Sequence, residues 1–344
     1  FWPIFERGAC FIPRKGDPIL VCAPEGEKYA REMSVWDDVR NVKEFACVTV
    51  PEEIDYPMAK FSSFREIIAE TLRDGKKLGL TGTWDISGPL YHRIKNAVSR
   101  LEIVNCDDIL VNLRLIKSAS EIACLKEAGR IACAGYKKLI EVCYPGQTEL
   151  MVAGQAEGEA RYNGAEAITF HVFGSGNRAD TIIGRPTNKV IKDGDMIMAA
   201  LAVQYEGYTA TVEFPFVSGK MSDKQIKMLE ILFEAANVQQ KYLSDGVTAG
   251  EMVKAVKEVF RKSDAEEYDI YPPMHGIGLA EAESPYPDSN SSYSFKSGMC
   301  VNSDISLFGH PGGSNRIEEG FVITGKGPVS ITPYIRELCE KGIE

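Results

Sequence analysis

The chain has no stretch approaching the ~20 consecutive apolar residues that a membrane-crossing helix requires, so no helical span and no membrane partner are expected. It has no basic excess either: 39 Lys and Arg stand against 49 Asp and Glu, a formal net charge of −10. Sequence-independent nucleic-acid binding, which needs a net basic face, is thereby excluded. Cys-x-x-Cys pairs are missing, and the nine cysteines are odd in number and scattered, which argues against a disulfide frame or a zinc ribbon. The opening residues FWPIFERGACFIP lack the basic start and small-residue cleavage site of a signal peptide. Together with reduced thiols this leads to an expected cytoplasmic location. Gly174-Ser175-Gly176 is followed by no Gly-x-Gly-x-x-Gly or Walker spacing, so no phosphate loop is read there. Histidine is scarce: His92, His171, His275 and His310 are the whole supply, and any imidazole chemistry falls on one of them.

With 344 residues and 44% apolar content, the chain has material for one large domain or two ordinary ones. Up to about Cys106 short apolar runs alternate with helical periodicity. GACFIP, PILVCAP, ACVTVP, KLGLTG and LEIVNC read as strands, while EKYAREMSVWDDV, FSSFREIIAETLRDG and PLYHRIKNAVSRL read as helices. That alternation implies an α/β layer with a mostly parallel sheet. Residues 113–142 then carry apolar side chains at three- and four-residue spacing, with Ser118 or Ser120 as cap and Glu121 in the first turn. This helix marks a domain boundary, giving 1–112 and 113–344.

The second part contains GDMIMAALAVQYEGYTATVEFPFVSG, residues 194–219, in which two apolar, β-branched runs flank Glu206-Gly207 and predict a hairpin. Before it, ITFHVFG reads as a strand, and after it helices are predicted at 222–243 and 248–262. His275-Gly276-Ile277-Gly278 and Arg316-Ile317-Glu318-Glu319 follow. The hairpin, the His-Gly-x-Gly turn and the late Arg-Ile-Glu strand together resemble the pita-bread superfamily of creatinase, prolidase and methionine aminopeptidase. The resemblance covers about 113–330, with the opening of the 113–142 helix and Pro145-Gly146-Gln147-Thr148-Glu149 also in register. It implies an α/β amino-terminal domain of the creatinase type plus an α+β pita-bread domain. It also implies that the sequence begins after that amino-terminal domain's usual first strand and helix, and that the chain forms a homodimer.

Most members of that superfamily are metallopeptidases whose two divalent ions lie between two hairpin aspartates, a histidine and two later carboxylates. In that register the first aspartate position is Ala200 and the bridging one is Thr211, neither of which can act as a carboxylate ligand. His275, Asp304 and Glu318 occupy the other three positions. A hard divalent ion needs anionic oxygens in a preformed arrangement, so no metal centre is expected. The alternative is one divalent ion, manganese, zinc or iron, on His275, Asp304 and Glu318. Two further family histidines are Ile183 and Ala282 here. Glu213 stands where creatinase, the metal-free precedent, has a carboxylate that engages its substrate.

His275, Glu213, Asp304 and Glu318 are therefore the candidate catalytic group. Carboxyl groups crowded together without metal repel, and burial raises at least one of them, which makes a general acid beside a general base. The bland reading of the same group is a leftover polar core. Candidate substrate-binding residues are His171, Arg178, Arg185 and His310. His171 is otherwise a satisfied core histidine, and the arginines are otherwise solvated surface. Arg316 either pairs with a buried carboxylate, the favoured reading, or meets an anionic substrate. Cys300 is read as core, and Glu319 is expected to face away from Glu318 because neighbouring strand residues alternate.

The function expected from this set is a metal-independent, creatinase-like hydrolase of a C–N bond in a small polar substrate. One alternative is an Xaa-Pro dipeptidase or aminopeptidase with a single metal ion acting on short peptides. The other is a catalytically silent pita-bread binding protein.

Overall fold

The computed structural model describes residues 6–46, 61–72 and 75–342, which fall into two compact units, Phe1–Leu110 and Val111–Glu344. In the first unit, β1 (Ala9–Phe11) runs antiparallel to β2 (Ile19–Cys22), and α1 (Glu27–Met33) follows. β3 (Val39–Val42) and β4 (Phe61–Ser62) then add parallel strands, giving the order β1-β2-β3-β4. Every residue of β2 is buried. Ile19 and Val21 pack on a cluster with Phe64 and Ile67, while Leu20 and Cys22 pack on Ala30 and Val39, so both faces of the strand are covered. α2 (Phe64–Thr71) is capped by Ser63, whose side chain accepts from the Glu66 backbone while Glu66 reaches back to the Ser63 N–H. β5 (Lys77–Leu80), α3 (Gly88–Ala97) and β6 (Glu102–Asn105) follow, with β5 and β6 pairing in parallel.

The helix expected over EKYAREMSVWDDV is shorter than its periodicity suggested: it ends at Met33, and Val39 already belongs to β3. The strand expected over ACVTVP lies, from residue 47 onward, outside the described residues. α4 (Asp107–Leu115) was not anticipated. It is a helix with no buried residue, so it lacks the apolar stripe by which helices are read.

The second unit is built around a sheet of eight strands among the described residues. α5 (Ala119–Val142) starts at Ser118, whose side chain and Glu121 form a reciprocal capping box. α6 (Glu149–Tyr162) precedes β7 (Ala167–Ser175), and β7 pairs with β8 (Asp195–Tyr205). β8 turns into β9 (Tyr208–Glu213) through Glu206 and Gly207, both at positive φ (48° and 80°), the conformation of a tight two-residue hairpin turn. Next come β10 (Phe216–Ser218), α7 (Asp223–Gln240), α8 (Ala249–Lys262), β11 (Met274–Gly276), β12 (Cys300–His310), β13 (Gly313–Thr324), β14 (Gly327–Ser330) and α9 (Pro333–Lys341). The central path runs β10-β8-β9-β13-β12-β11.

Alternation divides the residues of these strands between two faces. Ala199, Leu201, Val203, Val212, Ile305, Ile317 and Met274 belong to a single apolar cluster with residues of α5, α6, α7 and α8. The other face carries Ala200, Thr211, Glu213, Glu318, Asp304 and His275, linked across the strands by register.

Candidate functional site

Three adjacent strands bring the central carboxyl groups together. Glu213 on β9 is the cross-strand partner of Glu318 on β13, and Glu318 is the partner of Asp304 on β12. On the outer side of β12, Asn302 is the partner of His275 on β11. Glu213, Asp304 and Glu318 are at most 2% exposed, and His275 is 7% exposed. A single register therefore gathers residues spread over more than a hundred positions of sequence.

Arg316, two residues before Glu318 and so on the same face, holds the centre of this group. Its Nε donates to Glu213 Oε2 and lies 2.8 Å from Glu318 Oε1. Asn302 Nδ2 donates to Glu318 Oε2 at 3.0 Å. The structural pairing expected of Arg316 is thus what the fold contains. One guanidinium serves several carboxyl groups, and burial does the rest. Burial pushes Asp304 well above the ordinary carboxylate range, with Arg316 opposing and Glu318 and Glu213 adding to the rise. Glu213 is pushed up to about 8 by burial, against the pull of Arg316 and with a further push from Glu318. Glu213 Oε1 and Asp304 Oδ1 are buried without a hydrogen-bond partner, as are Asn302 Oδ1 and Ser306 Oγ on the same face of β12, so polar capacity is left over in the site.

At the other end, His275 Nδ1 lies 2.9 Å from Gly276 O. A carbonyl only accepts, so the Nδ1 proton is donated to it and Nε2 faces inward. There it meets Glu281 Oε1 at 3.5 Å, and the same oxygen accepts the Thr211 hydroxyl at 3.1 Å. Burial raises Glu281 above its usual range, Glu318 adds to this, and His275 opposes it. Gly276 makes the approach possible, because a Cβ there would stand 2.2 Å from Ser284 O. Glu281 was missed in the sequence reading. Its signal is the run His275 to Glu283, HGIGLAEAE, in which a carboxylate stands beside Ala282, the position of a family histidine.

The four candidate binding residues stand outside this cluster. His171 is corrected outright: it is the register partner of Leu201, on the helix-covered face, and its Nδ1 contacts Glu157 of α6 at 3.0 Å. Arg178 neutralises Glu149, a fully buried carboxylate, with Nε 3.1 Å from Oε2. Arg185 is exposed, and its backbone carbonyl accepts Arg178 Nη2 at 2.6 Å. His310 is the last residue of β12, accepts from Gly312 N at 2.9 Å and stacks edge-on with Tyr268. Glu319 does face away, paired with Arg336 of α9 at 3.2 Å. Cys300 is buried in an apolar cluster, and burial pushes its thiol up to about 12, as for a core residue.

A pair of divalent ions does not fit these side chains. Ala200 brings no donor, the Thr211 hydroxyl is engaged by Glu281, and Arg316 occupies one oxygen each of Glu213 and Glu318. Among the described residues no three His, Cys, Asp or Glu side chains come together in a way that could hold a metal ion. No helix among them is long and apolar enough to cross a membrane.

Residues 123–325 match the model of metallopeptidase family M24, and residues 4–116 match the creatinase/prolidase N-terminal domain. An Xaa-Pro dipeptidase of Pyrococcus furiosus is 30% identical over 288 residues, 83% of this chain and 82% of its own length. Among solved structures, an Xaa-Pro dipeptidase from Bacillus anthracis superposes with a TM-score of 0.80 at 25% identity, covering 96% of this chain and 88% of its own. The Pyrococcus furiosus prolidase does so at 0.77 and 26%, covering 92% and 87%. These likenesses weigh towards a peptidase-type hydrolase over a creatinase-like one. With its amino-terminal domain, its eight-stranded sheet and its site on the face away from the helices, the chain belongs to metallopeptidase family M24, in the prolidase-like pita-bread superfamily.

Proposed function

We propose that this protein hydrolyses the C–N bond of a short peptide of the Xaa-Pro type. The observation that carries the reading is the convergence of His275, Glu213, Asp304 and Glu318 on one face of the sheet, in a chain similar to an Xaa-Pro dipeptidase over 83% of its length. The chemistry asked of them is ordinary amide hydrolysis. His275 Nε2 takes the proton of a water whose oxygen attacks the carbonyl carbon, and the protonated Asp304 carboxyl gives a proton to the departing nitrogen as the C–N bond breaks. Arg316, fixed between Glu213 and Glu318, sets the field in which the oxyanion forms. The family is one of metallopeptidases, yet the side chains present here do not fit a pair of divalent ions, so no step is assigned to metal.

A second reading, a creatinase-like hydrolase of small polar amides or amidines, is favoured by one observation. Glu213 is a buried carboxyl with a free oxygen at the position where creatinase engages its substrate. The experiment is proline release from Ala-Pro, Leu-Pro and Met-Pro by protein purified without chelator, with and without added manganese, zinc or iron and with chelator, beside a panel of small amides and amidines. Turnover of dipeptides, lost at least ~100-fold in His275→Ala, supports the first reading. Turnover of the second panel alone transfers the site to the creatinase-like reading, and tight binding without turnover leaves a binding protein. Family analogy also supports a homodimer, which a monomeric mass at micromolar concentration would contradict.

A further inference from the structure

We propose that Glu281 is a positioning residue of this site, a carboxylate relocated from the hairpin to the loop after β11, which holds the His275 ring in place of the group that Thr211 lacks. The proposal rests on the reading of the site given above and adds to it a residue that the family register does not assign.

Three contacts carry it. The Thr211 hydroxyl points to Glu281 Oε1 at 3.1 Å, so the hairpin position without a carboxylate is directly bonded to one supplied from elsewhere. The same Oε1 lies 3.5 Å from His275 Nε2. The opposite ring nitrogen is held by Gly276 O at 2.9 Å, an acceptor, so Nδ1 carries the proton and Nε2, open to accept one, is the nitrogen that faces Glu281. Thr211 is fully buried and the Glu281 side chain is 17% exposed, so the contact is sheltered from bulk water while its outer edge remains reachable.

The placement is built into the backbone and does not depend on a flexible side chain. Gly276 pairs with Glu283 as an isolated bridge, its N–H lies 2.9 Å from both Glu283 O and Pro285 O, and only a glycine there admits Ser284 O. Glu283 is in turn tied to Lys117 at 2.8 Å and to Arg114. Glu281 is therefore delivered to His275 by a segment fastened immediately beyond it. A hydroxyl at 211 suits this arrangement where an aspartate would not, because a second carboxylate would face Glu281 across the same hydrogen-bond distance.

The experiment is a double-mutant cycle on Thr211→Val and Glu281→Gln, read in two ways. In histidine-labelled protein, the His275 ring nitrogen signals shift in both single variants and move no further in the double, whereas Glu319→Gln leaves them in place. With a substrate in hand, Glu281→Gln lowers kcat by about 10- to 100-fold with KM within about threefold, Glu281→Asp restores part of it, and the double variant is no worse than Glu281→Gln. Unmoved His275 signals, or strictly additive losses, overturn the proposal. Absence of turnover on every peptide would sink the functional reading alone, since the ring signals test the contact without any substrate.

Discussion

Glu318 and Glu319 are neighbours on β13, both buried, and they teach opposite lessons because a strand turns successive side chains to opposite faces. Glu319 points to the helix side and meets one cation, Arg336, on a helix packed against the sheet. Burial raises it and Arg336 opposes the rise, as in an ordinary buried ion pair that fastens α9. Glu318 points the other way, into a group where Arg316 is shared with Glu213, Asn302 donates to its second oxygen, and unpartnered oxygens of Asp304 and Glu213 lie among the same residues. Unclosed hydrogen bonds do not separate the two, since Glu319 Oε2 and Arg336 Nε are also buried without a hydrogen-bond partner. What separates them is that Arg316 is shared by two buried carboxyl groups and Arg336 serves one. Excess carboxyl groups around a shared cation are costly to bury, and they survive where they have work to do.

The comparison breaks most visibly if the two arginines are removed. Arg316→Met leaves two buried carboxyl groups without their cation and is expected to cost about 3–5 kcal/mol, lowering the melting temperature by roughly 10 °C or more. Arg336→Met is expected to cost about 1–3 kcal/mol, since it leaves one buried carboxyl group behind where Arg316→Met leaves two. Equal losses in thermal unfolding would erase the distinction between the faces. Turnover sharpens it next. Glu318→Gln should lower kcat by about 10²- to 10⁴-fold, whereas Glu319→Gln should change it by no more than about threefold, whatever its melting temperature does.

The smallest effect is in pH dependence. Glu213 has a folded value of about 8, above its unfolded value near 4.5, so the fold favours its protonated form. Its contribution to stability is complete below about pH 4.5 and is lost as pH rises through about 8. Between pH 5 and 8.5 the wild-type protein should therefore lose roughly 2 kcal/mol or more relative to Glu213→Gln, followed by chemical denaturation at each pH. A flat difference would mean that Glu213 stays charged beside Arg316 throughout, and that the site face resembles the Glu319 pair after all.

Most of the second unit was legible in the sequence because period and punctuation are local. The alternation around Glu206-Gly207 specified β8 and β9, the Ser118–Glu121 box specified where α5 starts, and the helices after the hairpin fell within a few residues of their predicted bounds. α4 escaped because a helix with no buried face carries no apolar period. Strand alternation likewise told that Glu318 and Glu319 part company, and family register named His275, Asp304, Glu318 and Glu213. His171 shows where local pattern stops: its strand follows from the sequence, but the choice between core and binding residue depends on which face it joins, and that is set by pairing with Leu201 of β8.

By itself the sequence determined the strands, the turns and the absence of carboxylates at Ala200 and Thr211, since each is a property of residues close together in the chain. Only the tertiary structure decided what fills that gap. Glu281 reaches Thr211 from 70 residues away, and Arg316 reaches Glu213 from 103 away. Such contacts arise from sheet register and from a glycine that lets one backbone approach another, and neither leaves a mark in the local pattern of the chain.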